Sequence, residues 1–326
     1  MKNSIKCDRN TSLDAVCGLF IIYMIIGHAF QWANIKDDDL QVILNSVFYM
    51  FMAWFFFKSG MYHRETTPIV ATRKYAKKLL LPWLIYGSIG ECLYWITCYQ
   101  NGTLSWKPLI AYPIKDIIFQ GTMGGNLPLW FLLSLFCVKI IVSYCDKYEI
   151  KHIYVLILCL ILSGGGTIAM TNKAPIPYTI FNVPLGISYY IAGYKLKEVQ
   201  YNRYVFTISL IIYVLLSTLI PSFVDFRSDR TIRGYWIIFI ISSTAGIIVI
   251  NNVFKLKIFQ LPELCSIGLN SISYYCFHWI NFYIVFILSK TNSSGSPNYD
   301  LLYKLVIGSI LVLPILAYFR TLLIKK

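Results

Sequence analysis

His28 lies near the end of an apolar run that begins at Leu13, and it shares a stripe with Asp14 and Cys17 if that run is helical. At 100° per residue, Asp14 and His28 fall about 40° apart on the helix circumference and Cys17 and His28 about 20° apart. Asp14 is roughly 21 Å along the axis from His28, so the two cannot touch. A neutral imidazole, with an unperturbed pKa of about 6.5, is the side chain best suited to take a proton from a hydroxyl near neutral pH. Gly27 beside it lets a ligand or a second backbone approach; a hydrogen bond to a neighbouring helix is the other use of such a histidine. Further along, Ser271, Tyr274, Tyr275 and His278 fall at i, i+3, i+4 and i+7 and form a second polar stripe. Facing lipid that stripe is costly, so it belongs in the interior of a bundle.

The elements that must carry these residues follow from composition. The chain has 326 residues, 57% hydrophobic, 17% aromatic and 13% charged, with mean hydropathy +0.61. A soluble domain carries about 25% charged residues, so the chain reads as an all-α integral membrane protein. A disordered chain, a disulfide-stapled secreted domain and a soluble enzyme are excluded. With roughly 20 apolar residues needed per span, there is room for about ten helices and no separate soluble domain, so residues 1–326 form one transmembrane unit. The expected spans are Leu13–Ala33, Leu40–Tyr62, Leu79–Tyr99, Leu127–Tyr144, Ile153–Met170, Ile180–Tyr194, Tyr204–Phe223, Gly234–Val253, Ser266–Leu288 and Leu301–Tyr318.

Ten spans put both termini on one side. That side collects eighteen Lys and Arg against nine on the other, and the positive-inside rule makes it cytoplasmic. Much of the net charge of +14 is then an orientation signal and an attraction for membrane lipids, not a nucleic-acid footprint. The nine cysteines are scattered with no C-x-x-C pair, which supports neither a metal site nor a disulfide framework. The first apolar segment lacks a cleavage site and is expected to be retained.

Ionisable residues inside spans are costly and are candidates for function. Besides Asp14, His28 and His278 these are Lys58, Glu91 and Lys139. Lys139 is expected to snorkel to the headgroups, and Lys58 either snorkels or serves a site. Glu91 serves helix packing, loop capping or a site. The long loop 100–126 carries Trp106, Tyr112 and Phe119 before GTMGGN, which fits a re-entrant element over a cavity or an aromatic-belt loop. The loop SFVDFRSDRTIRG, with its interleaved charges, reads as solvated.

In five segments the chain resembles the bacterial acyltransferase family 3 membrane proteins, in particular the fucose 4-O-acetylase-like branch. They are Arg9…Leu13-Asp14…Gly18…Gly27-His28; Phe55-Phe56-Phe57-Lys58-Ser59-Gly60 with the basic Arg73 to Pro82 stretch; Leu129-Trp130-Phe131-Leu132; Pro184-Leu-Gly186…Gly193-Tyr194; and Ser271…Tyr275…His278. The resemblance implies acyl transfer, usually acetyl, from acetyl-CoA to a hydroxyl of a glycan or lipid-linked sugar in the cell envelope. It implies no metal and a place in the bacterial cytoplasmic membrane. His28, accompanied by Asp14, would be the general base. Where relatives carry Arg or Lys eleven residues before that histidine, this chain has Cys17, and Lys58 on the next helix is the candidate replacement. Arg64, Arg73 and Lys77, with Lys58, would hold the phosphates of the acyl-CoA donor, unless that cluster is a topology signal alone. Trp130, Ser271, Tyr275 and His278 would contact the acceptor, Trp130 otherwise marking the interface. The alternatives are a transporter or flippase, for which Gly164–Gly166 and the prolines would break helices, and a catalytically degenerate homologue. No repeat of two halves supports the transporter, and nothing soluble is left for a membrane anchor to hold.

Overall fold

The computed structural model describes residues 10–35, 46–172, 176–228, 230–289 and 297–324. Among these, seven helical stretches are long and apolar enough to cross a membrane: Thr11–Trp32, Pro68–Gln100, Lys107–Lys147, His152–Met170, Trp236–Val253, Ser271–Ser289 and Tyr299–Phe319. The chain is an all-α, multi-pass membrane protein by this measure. Three further expected spans correspond to shorter or less apolar helices, α2 (Phe51–Met61), α8 (Thr179–Leu196) and α9 (Arg203–Leu219). The expected start of the second span, and Arg9 of the first motif, lie outside the described residues.

Helix α1 (Thr11–Trp32) is the centre of the bundle: 72% of its most apolar window is buried, against 28% for His152–Met170 and Tyr299–Phe319. Asn10 caps its start, with Oδ1 accepting from the Leu13 amide at 3.2 Å. The basic segment expected as a loop is instead helical. Helix α3 (Pro68–Tyr75) runs through a π-turn at Ala76–Leu80 into α4 (Leu81–Gln100). Pro82 has no N–H to close the ladder, and the wider turn just before it absorbs the irregularity.

The long loop is helical too. A π-turn at Lys107–Ala111 leads to α5 (Tyr112–Gln120), a 3₁₀ segment at Gly124–Leu129 and then α6 (Trp130–Lys147). Helix α7 (His152–Thr171) precedes α8 and α9; a two-stranded hairpin, β1 (Phe223–Asp225) and β2 (Arg230–Arg233), then leads to α10 (Trp236–Val253). The expected ninth span splits at Asn270 into a short α11 (Pro262–Leu269) and α12 (Ser271–Ser289), and α13 (Tyr299–Ile324) closes the chain.

Between apolar helices in lipid there is little hydrophobic drive, so association depends on close packing at small residues. Gly60 of α2 and Gly193 of α8 supply it: a Cβ on the first would run into the Tyr190 carbonyl, and on the second into that of Phe57. The interior beside them is aromatic, with Trp54, Phe56 and Phe57 fully buried. Polar side chains among these rings are paired with one another. Trp54 Nε1 donates to Asn251 Oδ1 at 2.8 Å, and Asn251 Nδ2 donates to Gln200 Oε1 at 2.9 Å. Lys139 Nζ lies over the Tyr75 ring at 4.7 Å and the Tyr190 ring at 5.1 Å, so two π faces share its charge.

Candidate active site

At the end of the bundle where α1 finishes, a cavity of about 440 Å³ is lined by Gly27, His28, Gln31, Trp130, Arg227 and Trp279, among others. That volume lies in the range of small-molecule sites, about 300–1,000 Å³. Gly27 faces open space: a Cβ there would meet nothing within 4 Å. His28 Nδ1 is 3.0 Å from Gln31 Oε1, one helical turn on. With that oxygen accepting, Nδ1 carries the proton and Nε2 keeps its lone pair.

His278 comes from α12 and is fully buried behind His28, with ring centroids 5.4 Å apart and planes 17° from parallel. Its Nδ1 lies 2.7 Å from the Tyr275 carbonyl, which can only accept, so this nitrogen is the protonated one. His278 Nε2 is therefore a buried acceptor, and neither it nor Trp279 Nε1 has a hydrogen-bond partner. The Trp279 ring stands edge-on to His28 at 5.2 Å. A cavity-lining imidazole, a buried second imidazole and an indole thus stand together where α1 meets α12.

Two walls complete the cavity. One is the 3₁₀ segment carrying Leu127 and Pro128, pinned from below: the Gly125 amide donates to Glu91 Oε2 at 2.8 Å, and Asn126 Nδ2 donates to the Cys276 carbonyl at 3.2 Å. The Tyr275 hydroxyl donates to the Pro128 carbonyl. Glu91 thus caps the loop at Gly125, and the cavity wall begins just after that loop, at Leu127 and Pro128.

The other wall is the hairpin, and here the expectation of a solvated loop is wrong. Phe226 is only 4% exposed, stacked on Phe56 at 5.3 Å and lying 6.4 Å from Trp130. Burying that ring draws the charged turn into the bundle, since an apolar ring of this size gains about 1.5–3 kcal/mol on burial. Asp225 folds the turn by accepting from the Arg227 amide at 3.2 Å and from Ser228 Oγ at 2.7 Å. Asn182 Nδ2, fully buried on α8, donates to the Arg227 carbonyl at 2.8 Å.

Of the residues singled out from sequence, the structure brings His28, Trp130 and Tyr275 to the cavity and His278 directly behind it. Ser271 begins α12, about 10 Å along the axis from His278. Asp14 is at the far end of α1. Lys58 is also there, with Nζ 3.4 Å from the Leu13 carbonyl and 5.1 Å from the Trp54 ring, about 22 Å along α1 from His28. That carbonyl lies one turn before Cys17. Arg64, Arg73 and Lys77 are exposed at the same end. Aromatic contacts Phe20–Trp54, Trp54–Phe55 and Phe55–Phe131, at 5.3 to 5.8 Å, fill the bundle between.

Sequence reasoning missed Gln31, Trp279 and Arg227. Gln31 had a signal, at i+3 from His28 on the same face. Among the described residues no group of three or more His, Cys, Asp or Glu is placed to hold a metal ion. Compared with family models, with curated proteins and with solved structures, the chain gives no match.

Proposed function

We propose that the protein is a membrane O-acyltransferase of the acyltransferase family 3 kind, with ten spans and both termini in the cytoplasm of a bacterium. It moves an acetyl group from acetyl-CoA to a hydroxyl of a cell-envelope glycan or lipid-linked sugar. The observation that carries this reading is the cavity lined by His28, whose Nδ1 is held by Gln31, with the Trp279 ring edge-on beside it. The acceptor oxygen attacks the thioester carbonyl while its proton passes to His28 Nε2. The new C–O bond forms, the C–S bond breaks, and the CoA thiolate leaves with the proton from the imidazolium. Trp279 Nε1 donates to the carbonyl oxygen as it gains charge. The donor phosphates are held by Arg64, Arg73 and Lys77 at the cytoplasmic end, and Lys58 supplies the charge absent at Cys17.

The test mixes detergent-solubilised protein with labelled acetyl-CoA and an envelope extract. Label should enter glycan or lipid, and His28→Ala should lower the transfer by about 10² or more. Acetyl-CoA binding without any transfer, or transfer within about tenfold of the unaltered rate in His28→Ala, overturns the reading. Lys58→Met should raise the acetyl-CoA concentration needed for half-maximal transfer; an unchanged value removes Lys58 from the donor site.

A further inference from the structure

The cavity holds one cation with nothing in the reaction to do. Arg227 is placed by its backbone, through the Asn182 bond to its carbonyl and the Asp225 bond to its amide, so its guanidinium is not needed to build the turn. Of that group's five N–H donors, one reaches Gln120 Oε1 at 3.2 Å, and the plane lies 5.9 Å from the Tyr178 ring centroid. No described carboxylate lies within 4 Å of it. Asp225, the acid that shares the cavity lining, spends its oxygens on the Arg227 amide and on Ser228. Asp116 lies beyond contact distance and attracts Arg227 at longer range, with Gln120 between them, whose Nε2 donates to Asp116 Oδ1 at 2.6 Å. The other polar groups of the lining, His28, Gln31 and Trp279, carry no negative charge to answer it.

An arginine without an acid partner is costly beside a membrane interior, and its planar fork matches a carboxylate or phosphate in a way a lysine does not. We propose that Arg227 makes the cavity selective for an anionic acceptor, a sugar that carries a carboxylate or a phosphate close to the hydroxyl it presents to His28. This rests on the cavity being the acceptor site. The carboxylate or phosphate takes up the free N–H groups of Arg227, and that pairing fixes which hydroxyl meets the imidazole.

Trp130 and Trp279 line the cavity, so intrinsic fluorescence of the purified full-length protein reports its occupancy. The probes are methyl β-glucuronide, glucose 6-phosphate and methyl β-glucoside. At least one anionic probe should bind about tenfold or more tightly than the glucoside, as a charge-assisted fork does over a neutral contact. Whichever does so separates carboxylate from phosphate recognition. R227Q should bring the probes to parity while the glucoside affinity, which serves as the fold control, stays within about twofold. R227K should keep part of the preference, and Q120A, which removes the hydrogen bond and leaves the charge, should keep it whole. Equal affinities in the unaltered protein, no saturable binding of an anionic sugar, or a preference that survives R227Q overturns the proposal. Labelled acetyl transfer separates it from the catalytic reading: transfer without anion preference sinks this inference alone, and preference without transfer sinks only the acyltransferase.

Discussion

The protein contains two pairs of histidines, one at each end of the bundle, and they are built in opposite ways. His63 and His152 share a carboxylate: Asp146 Oδ2 is 3.1 Å from His63 Nε2, and Asp146 Oδ1 is 3.0 Å from His152 Nε2. His63 Nδ1 is 2.9 Å from the Tyr190 hydroxyl, and the Asp146 side chain is 8% exposed. His28 and His278 have no carboxylate between them, stack on each other, and leave His278 Nε2 unpartnered against a cavity wall. A shared carboxylate holds the first pair in place, whereas the second pair meets no such charge among the described residues and its His28 lines a cavity. The lesson is that a histidine in a membrane protein is informative through what its ring faces, a carboxylate or a cavity.

The largest expected effect separates the two pairs by rate. His28→Ala should lower acetyl transfer by about 10²–10⁴, the usual worth of a general base, or about 3–5 kcal/mol of barrier. His63→Ala should leave the rate within a few-fold. Comparable losses in both would erase the distinction and make the two pairs parts of one structural frame.

The reverse should hold for stability. Asp146→Asn keeps one acceptor oxygen but replaces the other with an NH2 donor, so one of the two imidazoles loses its partner; this should cost about 1–3 kcal/mol, read as a lower midpoint of thermal unfolding in detergent. Binding of sugar probes to the cavity should not change.

How far these arrangements are written in the sequence depends on whether they are local. The stripe joining Cys17 to His28 and the one joining Tyr275 to His278 are helical periodicities, and each reads correctly from spacing. That the two stripes face each other is a packing fact, shown by the His28–His278 stacking and not by either stripe alone. Ser271 shares the second stripe yet lies two turns from the site, because a stripe gives direction and not depth. The charge pattern of 222–234 hid Phe226, whose partners Phe56 and Trp130 lie far away in the chain. The same applies to Asp146, which meets His63 from a different helix.

Acid sharpens the contrast at the buried triad. His63 lies outside the spanning helices, and burial pushes its pKa below the ordinary 6.5, aided by His152 and Lys139 and opposed by Asp146 and Glu65. The folded protein therefore prefers His63 neutral, while the unfolded chain takes up a proton below about pH 6.5. Stability should be fully present above that value and be lost as pH falls through the folded pKa. Thermal unfolding at pH 7.5 and at pH 5.5 should differ by less than the Asp146→Asn effect, and His63→Gln should shrink the difference. A protein equally stable at both values, or more stable at pH 5.5, would show that Asp146 outweighs burial.

The smallest expected effect on the fold is at Gly27, and its sign sets the two ends apart. Gly60 and Gly193 are held against carbonyls near the triad, and alanine at either must push two helices apart. Gly27 has nothing within 4 Å of a Cβ, so alanine there meets no clash and gains the helix propensity that glycine lacks, about 0.5–1 kcal/mol. Gly27→Ala should leave the unfolding midpoint unchanged or slightly raised, and Gly27→Leu should preserve the fold while filling the space beside His28. Glucoside binding should then fall from alanine to leucine with no parallel loss of stability. If Gly27→Leu unfolds the protein as Gly193→Ala does, the open space is closed by packing and the cavity is not a binding site; if it folds and still binds the probe, the ligand approaches His28 from another side.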